Sequence, residues 1–141
     1  MEQTFEPNLE EIMTDPVIKM ETPHTDDRGW IQPLSDENMK SAVLIQSKKG
    51  TFRANHYHKT DWHYCYVLTG EINYYWRKCG ETGEPEMKTI KKGELFFTPP
   101  LVEHTMVFAK DTEFICLGKN SRKQEVYEAD IERVQLVAPT H

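Results

Sequence analysis

The sequence predicts an all-β domain, a small barrel or sandwich of short strands, on three observations. β-branched and aromatic residues are gathered in short runs, as a half-buried pleated surface prefers. Turn residues at Gly70, Gly80, Gly83 and Gly93, with Pro99-Pro100, punctuate those runs at roughly the 8–12-residue spacing of an all-β architecture. A histidine-rich stretch, Gly50 to Gly70 (GTFRANHYHKTDWHYCYVLTG), carries polar side chains with a period of two, the period of a strand.

The N-terminal residues read as an irregular arm over 1–21. Pro7 and Pro16 break it, Asn8 caps a short helical turn over LEEIM, and PVIKME has strand character. A barrel with a C-terminal extension is expected over 22–136. It opens with HTDDRGWIQPL, in which Asp26-Asp27-Arg28-Gly29 forms a turn and Trp30-Ile31 begins a strand. SDENMK is a polar loop, and SAVLIQSKKG is a strand that ends at Gly50. The segments TFRANHYH, WHYCYVLTG, EINYYWRKCG, KTIKKGELFFTPP, HTMVFAKD and TEFICLGKN follow as strands. Gln124–Arg133 (QEVYEADIER) is the best helix candidate after the first turns, and residues 137–141 read as a tail in which His141 has no role.

At 141 residues the chain is long enough for one domain with a real core. A hydrophobic fraction of 38% beside 28% charged residues describes a globular rather than a disordered chain. Apolar runs such as AVLI and ELFF are too short to span a bilayer. A net charge of −6 without a basic stripe argues against nucleic acid as partner. The acidic start, MEQTFEPNLEEIM, shows no secretory signal, so a cytoplasmic location is expected. Three cysteines, Cys65, Cys79 and Cys116, are an odd number at no zinc-knuckle spacing; free thiols in a reducing compartment account for them. Cys65 and Cys116 read as small buried strand residues, although Cys65, two residues after His63, shares that residue's face.

The chemistry concentrates in four histidines. On an extended strand His56 and His58 point one way and Tyr57 the other. A turn through Lys59, Thr60 and Asp61 then brings His63 back on an adjacent antiparallel strand, opposite the first pair, and His104 follows on PPLVEH. Imidazoles converging on one face build a first-row transition-metal site. The expected ligands are therefore His56, His58, His63 and His104, around a divalent ion of the Fe, Ni, Zn, Cu, Co or Mn group. The alternative is a metal-free site in which His56 and His58 act as an acid/base pair. Glu103 reads as a loop or supporting carboxylate, and Tyr74, Tyr75 and Trp76 as barrel packing.

These segments resemble the two motifs of the cupin superfamily, the double-stranded β-helix or jelly-roll barrel. The first motif is Gly, five residues, His-x-His, three or four residues, Glu, six residues, Gly; here it is Gly50, TFRAN, His56-Tyr57-His58, KTDW, His63, YCYVLT, Gly70. The second is Gly, five residues, Pro-x-Gly, two residues, His, three residues, Asn; here it is Gly93, ELFFT, Pro99-Pro100-Leu101, VE, His104, TMV, Phe108. His63 stands where Glu is usual, Leu101 where Gly is, and Phe108 where Asn is. An all-histidine set leaves the ion its full charge, which favours borderline over hard cations.

The flanks are similar to the small nucleotide-sugar cupins, the RmlC-like 3,4-ketoisomerases and 3,5-epimerases. The similarity lies in DDRG, Arg53 ahead of His-x-His, Lys59 after it, and EVYEADIERVQL. It implies His56 and His58 as acid/base groups and Arg53 as a pocket residue. If all four histidines bind metal, the base must come from elsewhere, with Cys65 the inward-facing candidate. It also implies a small-molecule substrate, a nucleotide-linked keto sugar or related carbonyl compound, and a homodimer. Cupins with three histidines and no Glu include thiol and diketone dioxygenases, so an oxygen-using enzyme is the second class. A non-catalytic small-ligand binder is the third.

Overall fold

The computed structural model describes residues 7–137; His141 and the rest of 138–141 lie outside the described residues, as do the first six positions of the arm. The chain order is α1 (Leu9–Thr14), β1 (Val17–Ile18), β2 (His24–Asp26), β3 (Gly29–Ile31), β4 (Ser41–Ser47), β5 (Phe52–His58), β6 (His63–Thr69), β7 (Glu71–Lys78), β8 (Glu86–Lys91), β9 (Leu95–Thr98), β10 (Val102–Phe108), β11 (Thr112–Gly118), α2 (Gln124–Asp130) and β12 (Ile131–Arg133). Two five-stranded sheets face each other, in the orders β1-β9-β6-β11-β4 and β12-β5-β10-β7-β8, and β2 with β3 forms a separate hairpin. All the pairings are antiparallel. The jelly-roll expectation is met. No helix among the described residues is long and apolar enough to cross a membrane.

Alternation along the strands sends Val67, Ile72, Tyr74, Phe96, Phe108 and Phe114 into the space between the sheets. Phe108, at the position where the motif usually has Asn, stacks on Phe114 at 5.8 Å between ring centroids. Tyr64, Leu95 and Phe97 alternate out of phase with that core and form a second cluster with Trp62 and Ile12 of α1. The arm is thus docked on the barrel. Asn8 caps α1 as its sequence predicts, accepting from the Glu10 and Glu11 amides at 2.8 and 3.3 Å, and the Trp76 indole donates to the Met13 carbonyl.

Two local expectations are corrected. β6 is not the sheet neighbour of β5: β5 pairs with β10 and β12, and β6 pairs with β9 and β11. The Lys59–Asp61 turn carries the chain from one sheet to the other. It is held there by Asp130, which accepts from the Thr60 amide and hydroxyl and from the Asp61 amide. The helix over QEVYEADIER stops at Asp130 rather than Arg133. Capture of the Asp130 side chain by this turn ends the helix, and Ile131–Arg133 instead pair with His58–His56 along the edge of β5. That pairing satisfies backbone groups an open edge would expose.

A bulge precedes the histidines. Ala54 and Asn55 have φ of 80° and 56°, and the β5–β10 register shifts between His104, opposite His56, and Thr105, opposite Ala54. Asn, which tolerates the left-handed region better than most residues, is the extra residue. Its Oδ1 accepts from the Thr105 hydroxyl and the Leu136 and Val137 amides, and its Nδ2 donates to the Val137 carbonyl. Asn55→Ala is expected to destabilise the protein by about 2–4 kcal/mol, because several partly buried hydrogen bonds are lost and Ala resists positive φ. A urea midpoint unchanged from the parent would show that the bulge is not set by this side chain.

Candidate metal centre and its neighbours

The bulge sets the phase of β5 so that His56 and His58 both face the barrel interior, where His104 approaches from β10 of the same sheet. Each of the three offers a nitrogen within 4.8 Å of the others. His56 meets both rings edge-on at centroid distances of 4.8 Å, while His58 and His104 stack at 5.4 Å. All three are buried, His58 completely.

Their protonation follows from burial. Desolvation, reinforced by the neighbouring histidines, holds His56 and His58 far below the ordinary imidazole range. His104 is lowered to about 4, chiefly by burial, although its hydrogen bond to the Val102 carbonyl favours the charged form. That bond joins Nδ1 to the Val102 oxygen at 3.1 Å. Since a carbonyl only accepts, the Nδ1 carries the proton and Nε2 keeps its lone pair. His56 Nδ1 and both nitrogens of His58 are buried without a hydrogen-bond partner. Asp130 Oδ2, 3.4 Å from His58 Nδ1, accepts from the Asp61 amide at 3.1 Å. Buried polar nitrogens left unpartnered are costly, and three neutral imidazoles converging on one point are the donor set a divalent transition metal satisfies. The residues present fit such an ion.

His63 stands apart from this trio. Its ring lies against His58 at 4.7 Å, across from it on the facing sheet. Its Nε2, however, is 2.9 Å from Asp61 Oδ2, and its ring is also hydrogen-bonded to Cys116. Burial opposes charging this ring, but the Cys116 thiolate, the Asp61 hydrogen bond and the Asp61 charge outweigh it and raise the pKa to about 10. Of the four expected ligands, His56, His58 and His104 lie in one cluster and His63 is partnered separately by Asp61. The Asp61 carboxylate is fixed in turn by the Asn120 amide at 2.9 Å. Gly118, paired with His63 across β6 and β11, leaves the room this ring needs: a Cβ there would sit 2.8 Å from the imidazole Cδ2.

Cys65 points inward with His63, as alternation predicts, and Tyr64 points away. Its thiol donates to Cys116 Sγ at 3.4 Å. That hydrogen bond first, and the His63 charge against the opposing effect of burial, lowers the Cys116 pKa to about 5. Cys116 reads in the sequence as a buried apolar residue; its partner His63 lies far away in the chain, and no local signal connects them.

The trio, His63, Cys65 and Cys116 line one cavity of about 350 Å³. Arg53, Arg122, Arg133 and Tyr127 also line it. Arg53 is tied to Ser47 Oγ and the Gln46 carbonyl, and Arg133 to Glu128. Arg122 lies over the Tyr127 ring at 3.7 Å. Tyr127 faces His56 and His58 at 6.1 and 5.8 Å between centroids. Arg122, Arg133 and Tyr127 escape the sequence reading because α2 and β12 fold back along β5. Glu103 is ion-paired with Arg77 at 2.7 Å, and its neighbour His104 points to the opposite face. Tyr74 and Trp76 pack in the core.

The sequence profile of the cupin domain matches residues 43–118. The chain belongs to the cupin family. A comparison by sequence with curated proteins finds no match. Among solved structures, this cupin is similar to the sugar 3,4-ketoisomerase QdtA from Thermoanaerobacterium thermosaccharolyticum in complex with TDP. The identity is 18% and the TM-score 0.66, over 83% of this chain and 85% of that one. It is also similar to dTDP-4-dehydrorhamnose 3,5-epimerase from Sulfolobus tokodaii, at 15% identity and a TM-score of 0.61 over 87% and 85% of the two chains. A third is ChmJ, a 3'-monoepimerase from Streptomyces bikiniensis in complex with dTDP-quinovose, at 13% identity and a TM-score of 0.66 over 82% and 67%. At these identities the likeness establishes the fold. Leu101, where the second cupin motif usually has Gly, keeps a glycine-like backbone, with φ 61°, and its amide donates to the His58 carbonyl at 2.8 Å. The motif's turn survives the substitution at a conformational cost of about 1–2 kcal/mol.

Proposed function

We propose that this cupin holds a divalent first-row transition metal on His56, His58 and His104, and is an isomerase- or epimerase-like enzyme acting on a small anionic carbonyl compound of the keto-sugar type. The observation that carries the metal assignment is the set of buried imidazole nitrogens without hydrogen-bond partners on the floor of one cavity. The substrate class draws on the arginines of the same cavity and on the ketoisomerase and epimerase folds it shares. A bound metal supplies positive charge where oxygen charge develops next to a carbonyl.

The chain's own residues supply the rest. Arg122, held flat by Tyr127, offers guanidinium donors to an anionic group entering the cavity. With His56, His58 and His104 taken as ligands, the proton-moving groups left on the wall are Cys116 and His63, a thiolate beside an imidazolium. Removal of a proton next to a carbonyl needs a base that is deprotonated near neutrality, and the Cys116 sulfur, backed by His63 and Asp61, meets that condition.

Two measurements test this. Elemental analysis of untagged protein should give one metal per chain after reconstitution with Fe, Co, Ni, Cu, Zn or Mn in turn. Incubation with nucleotide-linked 4-keto sugars in D₂O should wash deuterium into the carbon beside the keto group. Stoichiometric metal with no exchange and no binding across such sugars would remove the substrate class but keep the site. The three-histidine count favours one second reading, an oxygen-using cupin, which oxygen uptake by the Fe(II) protein with thiols and 1,3-diketones would reveal.

A further inference from the structure

The wall of the cavity opposite the histidine trio carries an arrangement that a metal site does not require. Cys65 on β6 and Cys116 on β11 are direct cross-strand partners. Directly opposed residues of antiparallel strands have Cα atoms about 4.5–5.5 Å apart, within the 4.4–6.8 Å span of disulfides. Their sulfurs are already 3.4 Å apart, one thiol donating to the other. Closing to a bonded pair needs side-chain rotation and no change of strand register. Both line the cavity, and Cys116, at 8% exposure, is the more open of the two. Behind it stands His63, hydrogen-bonded to its sulfur and anchored by Asp61. Cys79, the third cysteine, is free and exposed, with none of this support.

We infer that Cys116 and Cys65 form a hydroperoxide-reactive cysteine pair, with Cys116 the sulfur attacked by the oxidant and Cys65 the thiol that resolves it to a disulfide. The Cys116 sulfur attacks the nearer peroxide oxygen. The S–O bond forms, the O–O bond breaks, and the leaving alkoxide or hydroxide departs with the Cys116 thiol proton as alcohol or water. Cys65 sulfur then attacks Cys116 sulfur. The S–S bond forms, the S–O bond breaks, and hydroxide departs with the Cys65 proton as water. Two thiols lose two electrons and two protons, and the hydroperoxide is reduced to an alcohol, or to water, plus one water. The disulfide occupies the cavity wall and removes the thiolate that faces His63, so oxidation also withdraws the proton-moving pair described above. The oxidation chemistry itself is independent of any metal.

The test is thiol mapping of the full chain treated with hydrogen peroxide in chelating buffer, followed by alkylation and peptide mass spectrometry. Expected are a Cys65–Cys116 disulfide peptide, two of the three thiols lost, Cys79 still alkylated, and recovery of both thiols with a reductant. In Cys65→Ser the sulfenic acid should accumulate on Cys116 and be trapped by dimedone about tenfold faster than on Cys79, which is more exposed but lacks the neighbouring His63. Oxidation of Cys79 with Cys65 and Cys116 both still alkylatable would overturn the proposal. Equal trapping rates on Cys116 and Cys79 in a folded Cys65→Ser protein would do the same. Peptide mapping of the parent decides the question even where the variant does not fold.

Discussion

His58→Leu is expected to lose stoichiometric metal binding and yet leave the metal-free protein at least as stable as the parent. His58 is fully buried with neither ring nitrogen hydrogen-bonded. In the metal-free state it therefore carries the desolvation cost of a polar group without the compensating bond. Leucine fills a similar volume and has no such cost. In the presence of metal the order reverses. A parent at a free metal concentration of 100 times Kd gains about 2.7 kcal/mol by mass action, which raises Tm by roughly 5–10 °C for a domain of this size. The variant should show no metal-induced rise and an affinity loss of more than about 100-fold, the upper end of what losing even a supporting group costs. His63→Gln should behave differently and keep one metal per chain, because His63 is committed to Asp61 and Cys116. Thermal denaturation with and without metal checks all three proteins. Parent-like metal affinity in His58→Leu would exclude the trio as the site, and loss of metal in His63→Gln would restore a four-histidine sphere.

The parts of this site that were legible in the sequence are those set by short-range geometry. His56 and His58 share a face because a strand alternates, and the spacing through Gly50, Gly70 and Gly93 carries the resemblance to the cupin motifs. Asn8 marks its helix for a similarly local reason. What alternation alone does not carry is the partner of each side chain. His63 lies opposite the pair, as expected, but it comes from the facing sheet. Its neighbours there, Asp61 in its own turn and Cys116 fifty-three positions on, give it partners apart from the other three histidines. The segment QEVYEADIER reads as a helix to Arg133, yet the Asp130 carboxylate is recruited by Thr60 and Asp61, and the last turn becomes β12. That single tertiary event delivers Arg133 and Tyr127 to the cavity. Sequence spacing predicts which face a residue takes; which charges meet on that face depends on how sheets and termini close over it.

Acid should unfold the metal-free protein well before its carboxylates titrate. His56, His58 and His104 have folded-state pKa values below the ordinary imidazole value of about 6.5, so the folded protein refuses protons that the unfolded chain accepts. Their contribution to stability is complete above about pH 6.5 and is lost as pH falls below it. At one proton each, the limiting slope is about 4 kcal/mol per pH unit, of the order of the whole stability of a typical domain over two units. His63 has the opposite sign: its pKa is raised to about 10, so its contribution is present below 6.5 and declines as pH rises toward 10. Cys116, lowered to about 5, gains stability for the folded state as pH rises through the same interval, until the unfolded thiol ionises near 8.5. Between about 6.5 and 8.5 these two offset each other, as befits one imidazolium–thiolate pair, and below 6.5 Cys116 adds to the fall set by the trio. The depressed carboxyls, Asp61 among them, release their contribution only at lower pH. Urea midpoints of chelator-treated protein should therefore be level from about pH 7 to 8 and fall steeply between 6.5 and 5, and saturating metal should move that fall to lower pH, because metal binds the deprotonated imidazoles of the folded state. A midpoint that stays level down to pH 5 in the chelated protein would mean that the three rings are not held neutral in a dry interior, and the electrostatic basis of the metal site would go with it.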